Sequence, residues 1–208
     1  MRTLGVIAVV RLDDCAQLEP VVDALAAGDV RAVELTMTTP GALDALARLA
    51  AARGERLVIG AGSVLDAETA RLAILAGARF VVAPTFKAAV VEMCHRYDVA
   101  AVPGALTPTE ILTAWEGGAD LVKLFPASAF GPGYLKELRG PLPQLRLVPT
   151  GGISADTAGA FVEAGAFAVG VGGALVARDA IARGELGRLT EYARRLTAAV
   201  RAARERAK

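Results

Sequence analysis

Histidine is almost missing from this chain: His95 is the only one in 208 residues. A histidine-rich metal centre or a Ser-His-Asp triad therefore has too little to work with. His95 follows Met93 and Cys94 in a helical pattern, where a structural or solvated role is expected. Cysteine is nearly as scarce. Cys15 and Cys94 form no paired motif and have no metal-ligand spacing, so they read as buried or incidental thiols of a reducing compartment. No apolar run reaches the length of a membrane span, and Arg11-Leu-Asp-Asp14 interrupts the opening apolar run before it is long enough for a signal peptide. The expected location is the cytoplasm. A net charge of +1 gives no reason to expect nucleic acid or a membrane surface as partner, but leaves room for a small anionic ligand.

What the chain does have is a regular beat of short apolar runs, each followed by a helical pattern. Strands are expected at 4–10, 32–36, 56–61, 80–83, 99–102, 119–126, 146–149 and 167–169,. Asp13 or Asp14 is expected to cap the first helix, which stops at Gly28, and Asp66 and Thr107 to open later ones. Pro103-Gly104 is expected to turn the chain. From Ala174 onward the pattern is helical, with a break between Gly184 and Gly187 and a charged final stretch expected to fray. Ala-Gly-Asp at 27–29, Ala-Gly-Ala at 76–78 and 164–166, and Gly-Gly-Ala at 117–119 repeat one idiom at helix exits, which argues for equivalent βα units. The expected fold is a single compact (β/α)8 barrel over residues 1–208, with 187–208 as a C-terminal helical extension. An open doubly wound sheet would use the same signals, but it needs fewer regular units and leaves a switch point with no nucleotide fingerprint.

The candidate chemistry centres on Lys123. With a period of two, Leu121, Lys123 and Phe125 share one strand face and Val122 and Leu124 the other, so an amine points where an apolar core residue is expected. A buried, unpaired ammonium tends to lose its proton, and a neutral amine is a nucleophile. The bland alternatives are a lysine paired with a carboxylate or one snorkelling from a strand end. In the second strand Ala32, Glu34 and Thr36 share a face. Glu34 can simply neutralise Lys123 or Arg11, or it can relay protons between substrate oxygen, water and carbon. The relay is favoured, because a buried ion pair is weak evidence for net stability. Arg11, ending the first strand, suits either a carboxylate fork or a rim ion pair with Asp13 or Asp14. Thr150-Gly-Gly-Ile153 and Gly170-Val-Gly-Gly173 follow the last two strands, where backbone N–H groups can cradle a phosphate. Gly60-Ala-Gly-Ser63 offers donors to the other end of a substrate. Phe86, Phe125 and Phe130 are expected to line the wall or pack the core.

Taken in order, Gly28-Asp-Val-Arg-Ala-Val-Glu-Leu-Thr36, Ile59-Gly-Ala-Gly-Ser-Val-Leu65, Val122-Lys-Leu-Phe-Pro126, Pro149-Thr-Gly-Gly-Ile-Ser154 and Gly170-Val-Gly-Gly173 resemble the class I pyruvate aldolases. These act on 2-dehydro-3-deoxy-6-phosphogluconate or on its galactonate epimer. The resemblance implies that Lys123 is the Schiff-base lysine and Glu34 the proton-transfer group. It also implies that Ser63, Pro84, Phe125 and Thr150 line the substrate pocket, and that Gly151, Gly152, Gly172 and Gly173 hold the phosphate. No metal and no cofactor are implied beyond the covalent substrate–lysine Schiff base, and the assembly implied is a homotrimer. Thr38 stands where the gluconate-type pattern carries arginine, and the resemblance implies that it and Arg11 also contact the substrate. Thr38-Thr-Pro40, Ser128-Ala-Phe-Gly-Pro132 and Arg11 are closer to the galactonate type, whereas Thr150 is closer to the gluconate type. Ala174 replaces a serine associated with the phosphate site.

The expected reaction is therefore cleavage of a phosphorylated 2-oxo sugar acid, with the gluconate epimer favoured through Thr150, to pyruvate and glyceraldehyde 3-phosphate. Two other classes compete. A sugar-phosphate isomerase or epimerase could use the carboxylate and phosphate loops without a covalent amine, and a nonenzymatic sensor of phosphorylated acids would bind without turnover. The sensor gives no special reason for a lysine on an inward strand face, and borohydride trapping of an imine separates the isomerase from the aldolase.

Overall fold

The computed structural model describes residues 5–207. Strands and helices alternate from the start: β1 (Val6–Val10), α1 (Leu18–Ala27), β2 (Ala32–Thr36), α2 (Ala42–Arg53), β3 (Val58–Gly62) and α3 (Ala67–Leu75). The middle of the chain holds β4 (Phe80–Val82), α4 (Ala88–Arg96), β5 (Ala100–Val102), β6 (Gly104–Ala105), α5 (Pro108–Glu116) and β7 (Val122–Leu124). It closes with α6 (Gly131–Arg139), β8 (Leu147–Pro149), α7 (Ala155–Glu163), β9 (Val169–Val171), α8 (Arg178–Ala182) and α9 (Leu186–Arg206). Every strand pairing is parallel, in a six-stranded sheet ordered β5-β4-β3-β2-β1-β9 and a three-stranded sheet ordered β6-β7-β8. Hydrogen bonds also run between the two sheets. Asp120 N–H donates to Ala101 O at 3.0 Å, Lys123 N–H to Pro103 O at 2.9 Å, and Phe167 N–H to Leu147 O at 2.9 Å, while Thr150 bridges Gly170.

Strand alternation sorts the core into two bodies. Val33, Leu35, Val122 and Leu124 point outward into the large cluster beneath the helices. Ile7, Phe80, Val82, Val102, Leu121 and Val148 point inward and form a separate apolar plug. Local chemistry starts several helices. Asp66 accepts from Thr69 N–H, and Thr107 and Glu110 form a reciprocal capping box, each cap stabilising its helix by about 1 kcal/mol. Among the described residues, no helix is long and apolar enough to cross a membrane.

The structure departs from the sequence reading in several places. The first expected strand began at Leu4, which lies outside the described residues. Helix α1 starts at Leu18 with no side-chain cap, because both expected caps are engaged elsewhere: Asp14 accepts from Ala16 N–H at 2.7 Å and Asp13 pairs with Arg178 at 3.3 Å. Pro103-Gly104 does not turn the chain. Proline interrupts the ladder by lacking an N–H, and Gly104 continues extended in β6, where a Cβ would collide with the Pro84 carbonyl. The last strand lies at 169–171 rather than 167–169, with Gly170 inside it, because the Thr150 side chain fills the space a Cβ there would need. The charged final stretch, expected to fray, is helical through Arg206. Leu189, Leu196 and Val200 of α9 are buried, and Arg206 pairs with Glu163 at 2.7 Å.

Candidate active site

Lys123 and Glu34 stand just above the apolar plug, toward the C-terminal ends of the strands. Lys123 is the middle residue of β7, paired with Gly104 on one side and Val148 on the other; Glu34 is the middle of β2, opposite Gly60. Their side chains are only 9% and 4% exposed, and Lys123 Nζ lies 3.7 Å from Glu34 Oε1. This is an ion-pair separation but longer than a hydrogen bond, and the same Oε1 has no hydrogen-bond partner. Burial pushes the Glu34 carboxyl above its ordinary range, while Lys123 and Arg11 pull it back. The Phe125 ring centre lies 5.1 Å from the Lys123 amine, within cation–π range.

Room for this pair is made by a missing side chain. Gly62 has a backbone conformation that any residue can adopt, but a Cβ on it would overlap the Glu34 carboxyl. The next residue, Ser63, takes φ 58°, a left-handed value uncommon outside glycine, and turns the chain over the strand end. Thr150 is buried; its hydroxyl donates to Val148 O at 3.3 Å, and its backbone N–H binds Leu124 O at 3.0 Å, which fastens the end of β8 to β7.

A cavity of about 800 Å3 opens above the pair. It brings together Arg11, Glu34, Ser63, Pro84, Lys123, Phe125, Thr150, Gly151, Gly152, Gly172 and Gly173, all named from the sequence. Thr38 is the exception. It is exposed, does not line the cavity, and donates its hydroxyl to Thr36 at 3.1 Å. Phe86 lines a neighbouring groove that shares Pro84 and Phe125 with the cavity. Phe130 is neither wall nor core: it is 58% exposed and stacks on Tyr134. The rim pairing considered for Arg11 is not formed, since Asp13 and Asp14 are engaged as described above.

Sequence reading missed Ser154, Arg178 and Asp179, which also line the cavity. Ser154 had a usable signal: it follows the glycine run and caps α7, accepting from Asp156 N–H at 3.3 Å. Arg178 had none, sitting in an Ala- and Arg-rich stretch where charge reads as solvated face. His95 contacts Asp120 at 3.4 Å away from the cavity, and burial raises the Cys94 thiol to about 11. Among the described residues, no group of three or more His, Cys, Asp or Glu side chains could hold a metal ion.

A buried amine beside a carboxylate, on the inner face of parallel strands and under a glycine-lined cavity, defines the class: an enzyme site suited to an amine nucleophile. The family model for KDPG and KHG aldolases matches residues 1–192, and the chain belongs to that family. It is 40% identical over 154 residues to a 2-dehydro-3-deoxy-phosphogluconate aldolase of Pseudomonas aeruginosa, covering 74% of this chain and 70% of the relative. A solved structure described as native KDPGal aligns with TM-score 0.90 at 29% identity, over 97% of each chain. The KDPG aldolase of Legionella pneumophila, with pyruvate captured at low pH as a covalent carbinolamine, aligns with TM-score 0.86 at 28% identity, over 92% of this chain and 93% of that one.

The fit of Glu34 against Gly62 gives a direct test. Gly62→Ala is expected to cost about 1–3 kcal/mol by overpacking and to lower turnover about 100-fold by moving the carboxylate. In a Glu34→Ala background the same substitution is expected to cost little, a non-additivity that thermal unfolding of the four proteins would reveal. Additive effects would show that the two positions do not compete for space.

Proposed function

We propose that this protein is a Schiff-base aldolase that cleaves 2-dehydro-3-deoxy-6-phosphogluconate to pyruvate and glyceraldehyde 3-phosphate. The observation that carries the reading is the Lys123–Glu34 pair, 3.7 Å apart on the cavity floor, in a chain of a family that includes an enzyme with pyruvate bound covalently as a carbinolamine. Neutral Lys123 attacks the C2 ketone. Loss of water then gives an iminium that draws the electrons of the breaking C3–C4 bond. Glu34 takes the C4 hydroxyl proton, directly or through one water, and its burial-raised proton affinity suits it to take a proton and return it. The aldehyde departs, the enamine is protonated at C3, and hydrolysis releases pyruvate and restores the amine. The iminium is the electron sink, so the route needs no metal or cofactor. Arg11 holds the carboxylate, and Gly151, Gly152, Gly172 and Gly173 hold the phosphate, so that binding away from the reacting bond orients it. Ser63, Pro84 and Thr150 shape the pocket around the reacting carbons.

The galactonate epimer is the second reading. It is favoured by Arg11 lining the cavity and by the likeness to the native KDPGal structure. We also read β5 and β6 as one strand interrupted at Pro103, and the two sheets as one closed (β/α)8 barrel. The hydrogen bonds linking both pairs of sheet edges support this reading; a crystal structure with Thr150 and Gly170 parted would contradict it. The assembly is read as a homotrimer, supported by Leu65, Leu72 and Leu75, which are 51–60% exposed on and beside α3, an apolar surface of the kind that interfaces cover.

Parallel assays of the two phosphorylated epimers, following pyruvate release, test the substrate. Wild type is expected to turn over the gluconate epimer faster, and the reverse order would move the assignment to the galactonate acid. Lys123→Met is expected to lose nearly all turnover, about 1,000-fold or more, since no other amine replaces the nucleophile; full turnover in a folded variant would end the mechanism. Light scattering across a concentration series is expected to give about three chain masses, and a persistent monomer would reject the trimer.

A further inference from the structure

The glycine loops of the cavity carry no charge of their own. Gly151, Gly152, Gly172 and Gly173 can offer backbone N–H groups, and Ala174 carries no hydroxyl. Among the described residues, three cationic side chains line the cavity: Arg11, Lys123 and Arg178. Two act on the buried carboxylate, Lys123 paired with Glu34 and Arg11 close enough for its charge to act on the same carboxyl. The third, Arg178, lies on the segment that follows Gly172 and Gly173, four positions beyond Ala174. Its guanidinium is 3.3 Å from Asp13, and these side chains are 65% and 83% exposed. An ion pair that open to water holds its partners weakly. The neighbouring carboxylate, Asp179, is turned to Arg188 at 3.1 Å and does not compete.

We propose that Arg178 recognises the distal phosphate of the substrate, giving up Asp13 for the phosphate when substrate binds, and so sets the preference for phosphorylated over unphosphorylated 2-oxo acids. The inference rests on the aldolase reading above. A phosphate dianion offers a guanidinium two parallel charge-assisted hydrogen bonds, whereas the exposed carboxylate it replaces returns to water at little cost. Asp13 lies on the loop after β1 and Arg178 follows β9, and these strands are neighbours in the sheet. The exchange therefore takes place at the cavity mouth and requires no movement of the strands.

The test measures kcat/KM for 2-dehydro-3-deoxy-6-phosphogluconate and for the same acid without its phosphate, and takes their ratio. Arg178→Gln is expected to lower the ratio about tenfold, mainly through a raised KM for the phosphorylated acid. Arg178→Lys is expected to restore part of the loss, and Asp13→Asn to raise the ratio above wild type by removing the competing carboxylate. A wild-type ratio in Arg178→Gln, or an unchanged ratio in Asp13→Asn, would overturn the proposal. Failure of wild type to cleave either acid would instead overturn the aldolase reading, so the two failures are distinguishable.

Discussion

The burial of Lys123 against Glu34 is the constraint around which the inner wall is arranged. Two charges inside an α/β core are costly to desolvate, and removing one partner of such a pair leaves the other stranded at about 3–5 kcal/mol. The structure accommodates both by the choice of neighbours. Gly62 leaves space for the carboxylate, and Phe80 packs across Gly60 beneath it. Lys123 lies between Gly104 and Val148, its amine near the Phe125 ring. One carboxylate oxygen remains without a hydrogen bond, a cost a purely structural ion pair would be expected to avoid and one that makes sense where substrate or water supplies the missing donor.

The polar layer works because it lies over a dry one. Ile7, Phe80, Val102, Leu121 and Val148 close the interior below the pair, so the amine can be reached only from the cavity side. That cavity brings together the side-chain charges of Arg11, Glu34, Lys123 and Arg178 and the backbone of the glycine loops. A substrate with a 2-oxo acid at one end and a phosphate at the other suits this combination, and its two anionic ends would fix the position of the carbon bond between them.

Much of this was legible because strand alternation is a strict rule. Glu34 and Lys123 could be placed on inward faces from their own strands alone, and both sit there. The glycine loops were legible as a position after the last strands, but not residue by residue. Gly170 reads as loop, and only the packing of Thr150 against it explains why it belongs to β9. Pro103-Gly104 reads as a turn for the same reason, since local propensity cannot register the Pro84 carbonyl that a neighbouring strand brings against Gly104. Thr38 was placed in the pocket through family likeness, but it is exposed and its hydroxyl donates to Thr36 instead. Arg178 was invisible for a different reason: nothing in an arginine-rich helical stretch tells which arginine faces a cavity.

The most direct measurement uses pyruvate alone. The protein is incubated with pyruvate, reduced with borohydride, digested, and its peptides are weighed. The account predicts a reduced pyruvate adduct on the peptide containing Lys123 and none on Lys87, Lys136 or Lys208. An unmodified protein, or an adduct carried by one of those other lysines, would contradict it.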